Sequence, residues 1–241
     1  MTPDEAGFTT RAVHAGETAN TTRAVATPIF QTATYAFETA GEGADMFAAR
    51  TPGHVYSRWS HPNAAELEAK IAALEGAEDA VATASGMAAV STVLLAALRA
   101  GDHCIVDVAS YSATNTLFSV EFPRLGIEST FVDTGDIAAV EAALRPSTRL
   151  IYTETPGNPT LKIVDLAQLA AFARPRGLLT VCDNTFAGPY LQRPIAVGID
   201  VVVHSATKYL SGHGDVIAGA AAGPAELIGR CRHACCATTA G

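Results

Sequence analysis

Apolar residues in this chain gather into short dense runs: Asp79–Ser85 (DAVATAS), His103–Val108 (HCIVDV), Glu128–Asp133 (ESTFVD), Arg149–Glu154 (RLIYTE), Leu178–Asn184 (LLTVCDN) and Asp200–Ala206 (DVVVHSA). Runs of this length, bounded by turn-forming residues, predict short buried strands. Between them the spacing predicts helices over Asn63–Leu74, Met87–Leu98, Ile137–Leu144 and Val164–Ala173, with Asp165 in the first turn of the last. Regular alternation of strand and helix predicts an α/β fold, a mostly parallel sheet covered on both faces. Residues 1 to about 50 lack this rhythm. They are expected to form an extended N-terminal arm packed on something else, such as a second subunit, with residues 51–241 forming the large domain.

Composition narrows the class. The chain has 241 residues, 49% hydrophobic and 17% charged, enough for one or two α/β domains with a sizeable core. The apolar window Ala80–Leu98 is broken by Ser85, Gly86, Ser91 and Thr92, so no membrane span is expected. The opening MTPDEAGFTTRAVHAGE has no basic region followed by an apolar core, so no signal peptide is read and a cytoplasmic protein is the default. A net charge of −8 gives no reason to expect nucleic acid or an anionic membrane as partner. Five cysteines, with Cys104 and Cys182 inside apolar runs, fit a reducing compartment. Cys231, His233, Cys235 and Cys236 do not make two well-spaced ligand pairs, and no metal site is expected.

Ligands of open α/β sheets gather outside the carboxyl ends of the strands, and four groups fall there. In ATASGMAAV a strand ends at Ser85 and a helix begins near Gly86, leaving free N–H groups suited to a phosphate; a tight turn without a ligand is the alternative. Asp183 closes an apolar strand, as a functional carboxylate or as a turn former. Lys208 follows the run Val201–His204 beside Ser205 and Thr207. Burial there would lower its proton affinity and make the amine a nucleophile toward an aldehyde; the alternative is a lysine paired with a carboxylate. Finally, YTETPGNP runs a strand into a rigid turn that presents Asn158. A single ligand with a phosphate, an aldehyde and a ring nitrogen satisfies all four, and pyridoxal 5′-phosphate has those parts.

The segments YSR, SGM, ETPGNP, DNTFAGPYLQRP and HSATKYLSGHGD, in that order and with comparable spacing, resemble the Cys/Met-metabolism family of pyridoxal-phosphate enzymes, from about Thr27 to Ile228. The family includes cystathionine γ-synthases, cystathionine and methionine γ-lyases and O-acylhomoserine sulfhydrylases. The resemblance implies a fold-type I, aspartate-aminotransferase-like large domain. It implies that Lys208 carries the cofactor covalently, that Asp183 keeps the ring nitrogen protonated, and that Tyr111 stacks on the ring and exchanges protons with substrate. It also implies that Ser85, Gly86, Met87, Ser205 and Thr207 surround the phosphate and that Asn158 bonds near the phenolic oxygen. Tyr56 and Arg58 resemble the pair that reaches the neighbouring subunit's phosphate, which implies a homodimer or homotetramer with shared active sites.

SGHGDVIAG, ELIGRCR and FAARTPGHVYSR look most like methionine γ-lyases, which implies carbon–sulfur γ-elimination on methionine, homocysteine or cystathionine. Ala113 stands where those lyases carry a cysteine, and ALEGAEDAVATASGM and SATNTLF are similar to O-succinylhomoserine sulfhydrylases, so γ-replacement on an O-acylhomoserine is the second reading. His61 precedes Pro62 where the family usually has asparagine, which is expected to perturb the loop. Family members continue into a smaller C-terminal domain with an arginine for the substrate carboxylate; nothing up to Gly241 matches it, so that domain is expected to be missing and a chain that binds cofactor without turnover is the third reading.

Overall fold

The computed structural model describes residues 6–17, 23–48 and 50–236. Seven strands form one sheet: β1 (Asp79–Thr83), β2 (His103–Asp107), β3 (Glu128–Val132), β4 (Thr148–Glu154), β5 (Leu179–Asp183), β6 (Val201–His204) and β7 (Gly219–Gly223). Their order is β1-β7-β6-β5-β4-β2-β3. The run from β6 through β5, β4 and β2 to β3 is parallel, and β7 is antiparallel to both β1 and β6. The α/β expectation is met.

The strands read as continuous apolar runs because both faces are covered. Cys104, Val106, Leu150, Tyr152, Val181, Val201 and Val203 point into one core, whereas Ile105 and Ile151 point into a second. The helices supply the other walls: α1 (Phe8–His14), α2 (Ala40–Phe47), α3 (Pro62–Glu75), α4 (Gly86–Ala97), α5 (Ser112–Thr116), α6 (Phe122–Arg124), α7 (Ile137–Ala142), α8 (Leu166–Ala173), α9 (Gly188–Leu191) and α10 (Ala225–Arg230). Val93 and Leu94 of α4 join the first core; Leu169 and Phe172 of α8 join the second. Local chemistry sets the ends. Pro62 opens α3 and Gly76, left-handed at φ 76°, closes it; Asp165 caps α8 by accepting from the Gln168 N–H at 3.0 Å.

Two expectations need correction. The strand β7 is absent from the sequence reading, because Gly-Ala-Ala-Ala-Gly has neither branched nor aromatic residues. The N-terminal arm is not extended throughout: α1 and α2 lie within it, and α1 is tied to its own chain by Arg11 donating to the Ala73 carbonyl and Lys70 to that of Val13, each at 2.9 Å. His61 has two bonds in its loop. Its Nδ1 accepts from the Asn63 N–H at 3.2 Å as the cap of α3, and its Nε2 donates to the Phe30 carbonyl at 2.7 Å. Among the described residues no helix is long and apolar enough to cross a membrane and no cluster could hold a metal ion; the side chains of Cys235 and Cys236 lie outside the described residues.

Candidate active site

The carboxyl ends of β4, β5 and β6 and the turn after β1 converge. Ser85 caps α4 by accepting from the Ala88 N–H at 3.1 Å, and the N–H groups that open a helix have no intrahelical partner. A methyl group on Gly86 would come 2.6 Å from Cβ of Ser205, and one on Gly219 would come 2.0 Å from the Ser85 carbonyl oxygen. The turn, the end of β6 and the start of β7 therefore touch with no room for a side chain. Met87 packs beside this turn, its Sδ accepting from the Thr114 hydroxyl at 3.7 Å.

Asp183 ends β5. One carboxylate oxygen accepts from the Thr185 N–H at 3.0 Å and from the Thr185 hydroxyl at 2.5 Å; the other faces the Tyr152 hydroxyl at 3.4 Å. Thr185 in turn accepts from the Ser205 N–H at 2.8 Å, so one hydroxyl links the carboxylate to the residue against Gly86. Burial pushes the Asp183 carboxyl above the usual carboxylate range, while the bonds from Thr185 and the field of His204 pull it down.

Glu154 ends β4 and is 5% exposed. Its two oxygens accept from the backbone N–H groups of Tyr111, at 2.6 Å, and Asn158, at 2.9 Å. Burial, then the neighbouring Asp183, pushes its carboxyl up to about 7, against the pull of those two bonds.

Beneath the strand ends lies a second polar layer. Glu75, fully buried at the end of α3, accepts at one oxygen from His204 Nε2 at 2.6 Å and Asn184 Nδ2 at 3.1 Å. Asn184 also bonds to Gln192, whose amide reaches the Thr155 carbonyl at 2.8 Å. The ends of β4, β5 and β6 are thereby tied to α3.

The remaining expected residues are placed as follows. Thr207 exchanges hydrogen bonds with both backbone groups of Ala218, so its hydroxyl proton is already committed within the chain. Lys208 lies in the turn after β6 and is exposed; the burial expected from the preceding apolar strand ends at Ala206. Tyr111 opens α5, 43% exposed, with its backbone on Glu154. Arg58 lies over the Tyr56 ring at 5.5 Å, and among the described residues neither side chain is hydrogen-bonded to the strand-end cluster. An apolar groove of about 570 Å³, lined by Phe8, Phe186, Tyr190 and Tyr209 among others, holds none of the expected cofactor residues.

Sequence reasoning missed Glu154, Thr185 and the layer around Glu75. The signal for Glu154 was present: like Asp183, it is a carboxylate that ends an apolar run. Thr185 and Glu75 carry no comparable signal, since their roles come from partners distant along the chain.

This arrangement is an α/β fold with a cluster of polar side chains across its strand ends, and comparison with known proteins gives the family. A family model described as Cys/Met metabolism PLP-dependent enzyme matches residues 9–237, and the chain belongs to that family. Over 233 residues the chain is 46% identical to an L-methionine gamma-lyase from Fusobacterium nucleatum, covering 96% of this chain and 59% of the relative. It is 43% identical to an O-succinylhomoserine sulfhydrylase from Pseudomonas aeruginosa, covering 92% of this chain and 55% of the relative. The crystal structure of MetB from Corynebacterium glutamicum superposes with a TM-score of 0.90 at 36% identity, covering 97% of this chain and 59% of that one. MetY from Campylobacter jejuni superposes at 0.89 with 33% identity, covering 92% of this chain and 55% of that one, and its structure contains N'-pyridoxyl-lysine-5'-monophosphate. The chain thus spans less than two thirds of the length of these relatives.

The residues fit such a cofactor. Gly86 opens α4, whose first N–H groups have no intrahelical partner and suit a phosphate, and the partly buried Asp183 carboxylate gains a partner if a cationic ring nitrogen lies against it.

Proposed function

We propose that this chain is the cofactor-binding part of a pyridoxal-phosphate-dependent carbon–sulfur lyase acting by γ-elimination on methionine-, homocysteine- or cystathionine-like substrates. The observation that supports it is the linkage Gly86–Ser205–Thr185–Asp183, which ties the opening of α4 to the Asp183 carboxylate across the ends of β5 and β6. Pyridoxal phosphate, when bound, supplies an electron sink for a carbanion at the substrate α-carbon. In this reading Gly86 and Met87 hold the phosphate through backbone N–H groups, with Ser85, Ser205 and Thr207 around it. Asp183 holds a proton on the ring nitrogen, Tyr111 stacks on the ring, Asn158 orients it, and the amine of Lys208 binds it and moves the substrate α-proton. Ala113 and the sulfhydrylase relative favour a second reading, γ-replacement on an O-acylhomoserine.

Of the three lysines in the chain, Lys70 donates to the Val13 carbonyl and Lys162 is paired with Asp133 and Asp107. Lys208 is the one left facing solvent at the strand ends. Borohydride reduction with pyridoxal phosphate bound, followed by peptide mass mapping, should place the pyridoxyl group on Lys208. Label on Lys70 or Lys162 would end the assignment.

The oligomer belongs to the same proposal: a cytoplasmic homodimer or homotetramer in which Tyr56 and Arg58 serve the neighbouring chain's phosphate. Both are exposed and among the described residues neither side chain is hydrogen-bonded to its own strand-end cluster, and a guanidinium suits bidentate phosphate contact. Mixing Arg58→Ala with Lys208→Ala chains should restore part of the cofactor absorbance, since a mixed dimer has one site free of both defects. A signal equal to the average of the two variants, with subunit exchange confirmed, sinks the shared site.

A further inference from the structure

Two loops carry Tyr111 and Asn158, and one side chain holds both. The loops touch: a methyl group on Gly157 would lie 3.2 Å from the Ala109 carbonyl oxygen. Glu154 stands beneath them, with one carboxylate oxygen on the N–H of Tyr111 at 2.6 Å and the other on that of Asn158 at 2.9 Å. We propose that Glu154 is a positioning residue: its charged carboxylate latches the 108–111 and 155–159 loops together at the strand ends, and its neutralisation releases at least one of them. The inference rests on the cofactor reading above for what the loops then hold, but the latch itself is a property of the chain alone.

A carboxylate accepts at both oxygens, whereas its acid form turns one oxygen into a donor that faces a backbone N–H. The acidic neighbours are Asp183 from β5 and Asp107 from β2, the latter 3.6 Å from the Lys162 ammonium, together with the Tyr152 phenol and the Cys182 thiol. Burial and these acids resist the charge, and the two N–H groups favour it, so the changeover falls near 7. A glutamate with its ordinary value near 4.5 loses its proton earlier in the unfolded chain, so the stability contributed by the buried neutral form is full below about 4.5 and is lost as pH rises from there through about 7, while the latch closes as pH passes about 7.

Amide hydrogen exchange in the cofactor-free chain tests this without any variant. Corrected for intrinsic exchange, protection of the Tyr111 and Asn158 amides should rise across pH 6–8 by about ten-fold, the worth of one hydrogen bond to a charged acceptor. Glu154→Gln should remove that pH dependence and expose one amide at every pH, with Glu154→Asp restoring it in part; urea midpoints would confirm that both variants fold. Pyridoxal phosphate titrated by absorbance should bind Glu154→Gln about ten-fold more weakly, the wild-type pH dependence being lost. Protection that is flat with pH and unmoved by Glu154→Gln overturns the latch. Lost protection with unchanged cofactor affinity overturns its positioning role. A chain that binds no cofactor while the amides behave as expected overturns the functional reading and leaves the latch standing.

Discussion

Glu75→Ala should lower the unfolding free energy by ~3–5 kcal/mol, the usual cost of removing one partner from a buried polar or ionic pair. Glu75 is fully buried and one of its oxygens serves two donors, His204 Nε2 at 2.6 Å and Asn184 Nδ2 at 3.1 Å. Removing the carboxylate leaves His204 Nε2 without its acceptor and Asn184 Nδ2 with only the Gln192 carbonyl, and a lost buried acceptor costs ~1–3 kcal/mol per group. The loss spreads beyond α3, because Asn184 passes its bonds through Gln192 to the Thr155 carbonyl and so fixes the ends of β4 and β5. Urea denaturation should show a lower midpoint with an unchanged slope. Glu75→Gln keeps a carbonyl acceptor and should recover part of the loss. A drop below ~1 kcal/mol for the alanine variant would mean that packing, rather than this network, holds the strand ends.

The parallel part of the sheet was legible because its strands are buried on both faces. Val201–Val203, Leu150–Tyr152 and Ile105–Val106 are runs that a solvent-facing strand would not carry. Their ends were legible for the opposite reason: a carboxylate or glycine directly after such a run has few roles other than capping or binding, which singled out Gly86 and Asp183. The antiparallel β7 was hidden because its role demands smallness: Gly219 must let the Ser85 carbonyl pass and Gly223 packs against Val201 and the Asp200 carbonyl. Residues chosen for close approach leave no hydrophobic signature.

The expected burial of Lys208 failed for a related reason. The apolar run that precedes it describes β6, whereas Lys208 is four residues beyond His204, in a turn that starts where Ser205 meets Gly86. Side-chain direction after a strand end is set by the turn, not by the strand. In the single chain the amine is in solvent, so under the proposed function its desolvation has to come from what binds over it. Thr185 was unreadable in another way. A threonine after Asp-Asn could equally close an Asx turn, and the turn is indeed present in the bond to Asp183; only the fold shows its hydroxyl also accepting from Ser205, a residue 20 positions away.

Under the proposed function, Asp183→Asn should slow exchange of the substrate α-proton by at least ~10²-fold, the low end of what a positioned charge or acid–base group contributes. The asparagine oxygen can still accept from Thr185, so the link to Ser205 should survive. What it loses is the negative charge. Burial already pushes the Asp183 carboxyl above its ordinary range, and Thr185 and His204 only partly offset that cost. A cationic ring nitrogen against the carboxylate would stabilise the ionised form, and the same pairing would keep the proton on the ring where it draws electrons from the α-carbon. Asparagine cannot hold that proton by charge, so binding should change much less than exchange. Proton–deuterium exchange into L-methionine, followed by NMR on the cofactor-loaded protein, measures the rate, and an absorbance titration measures affinity. Equal losses in both would mean that Asp183 serves only to bind, and an unchanged exchange rate would hand the role to another acid. Of the neighbours, Glu154 is committed at both oxygens to Tyr111 and Asn158; taking over from Asp183 would require it to release one of them.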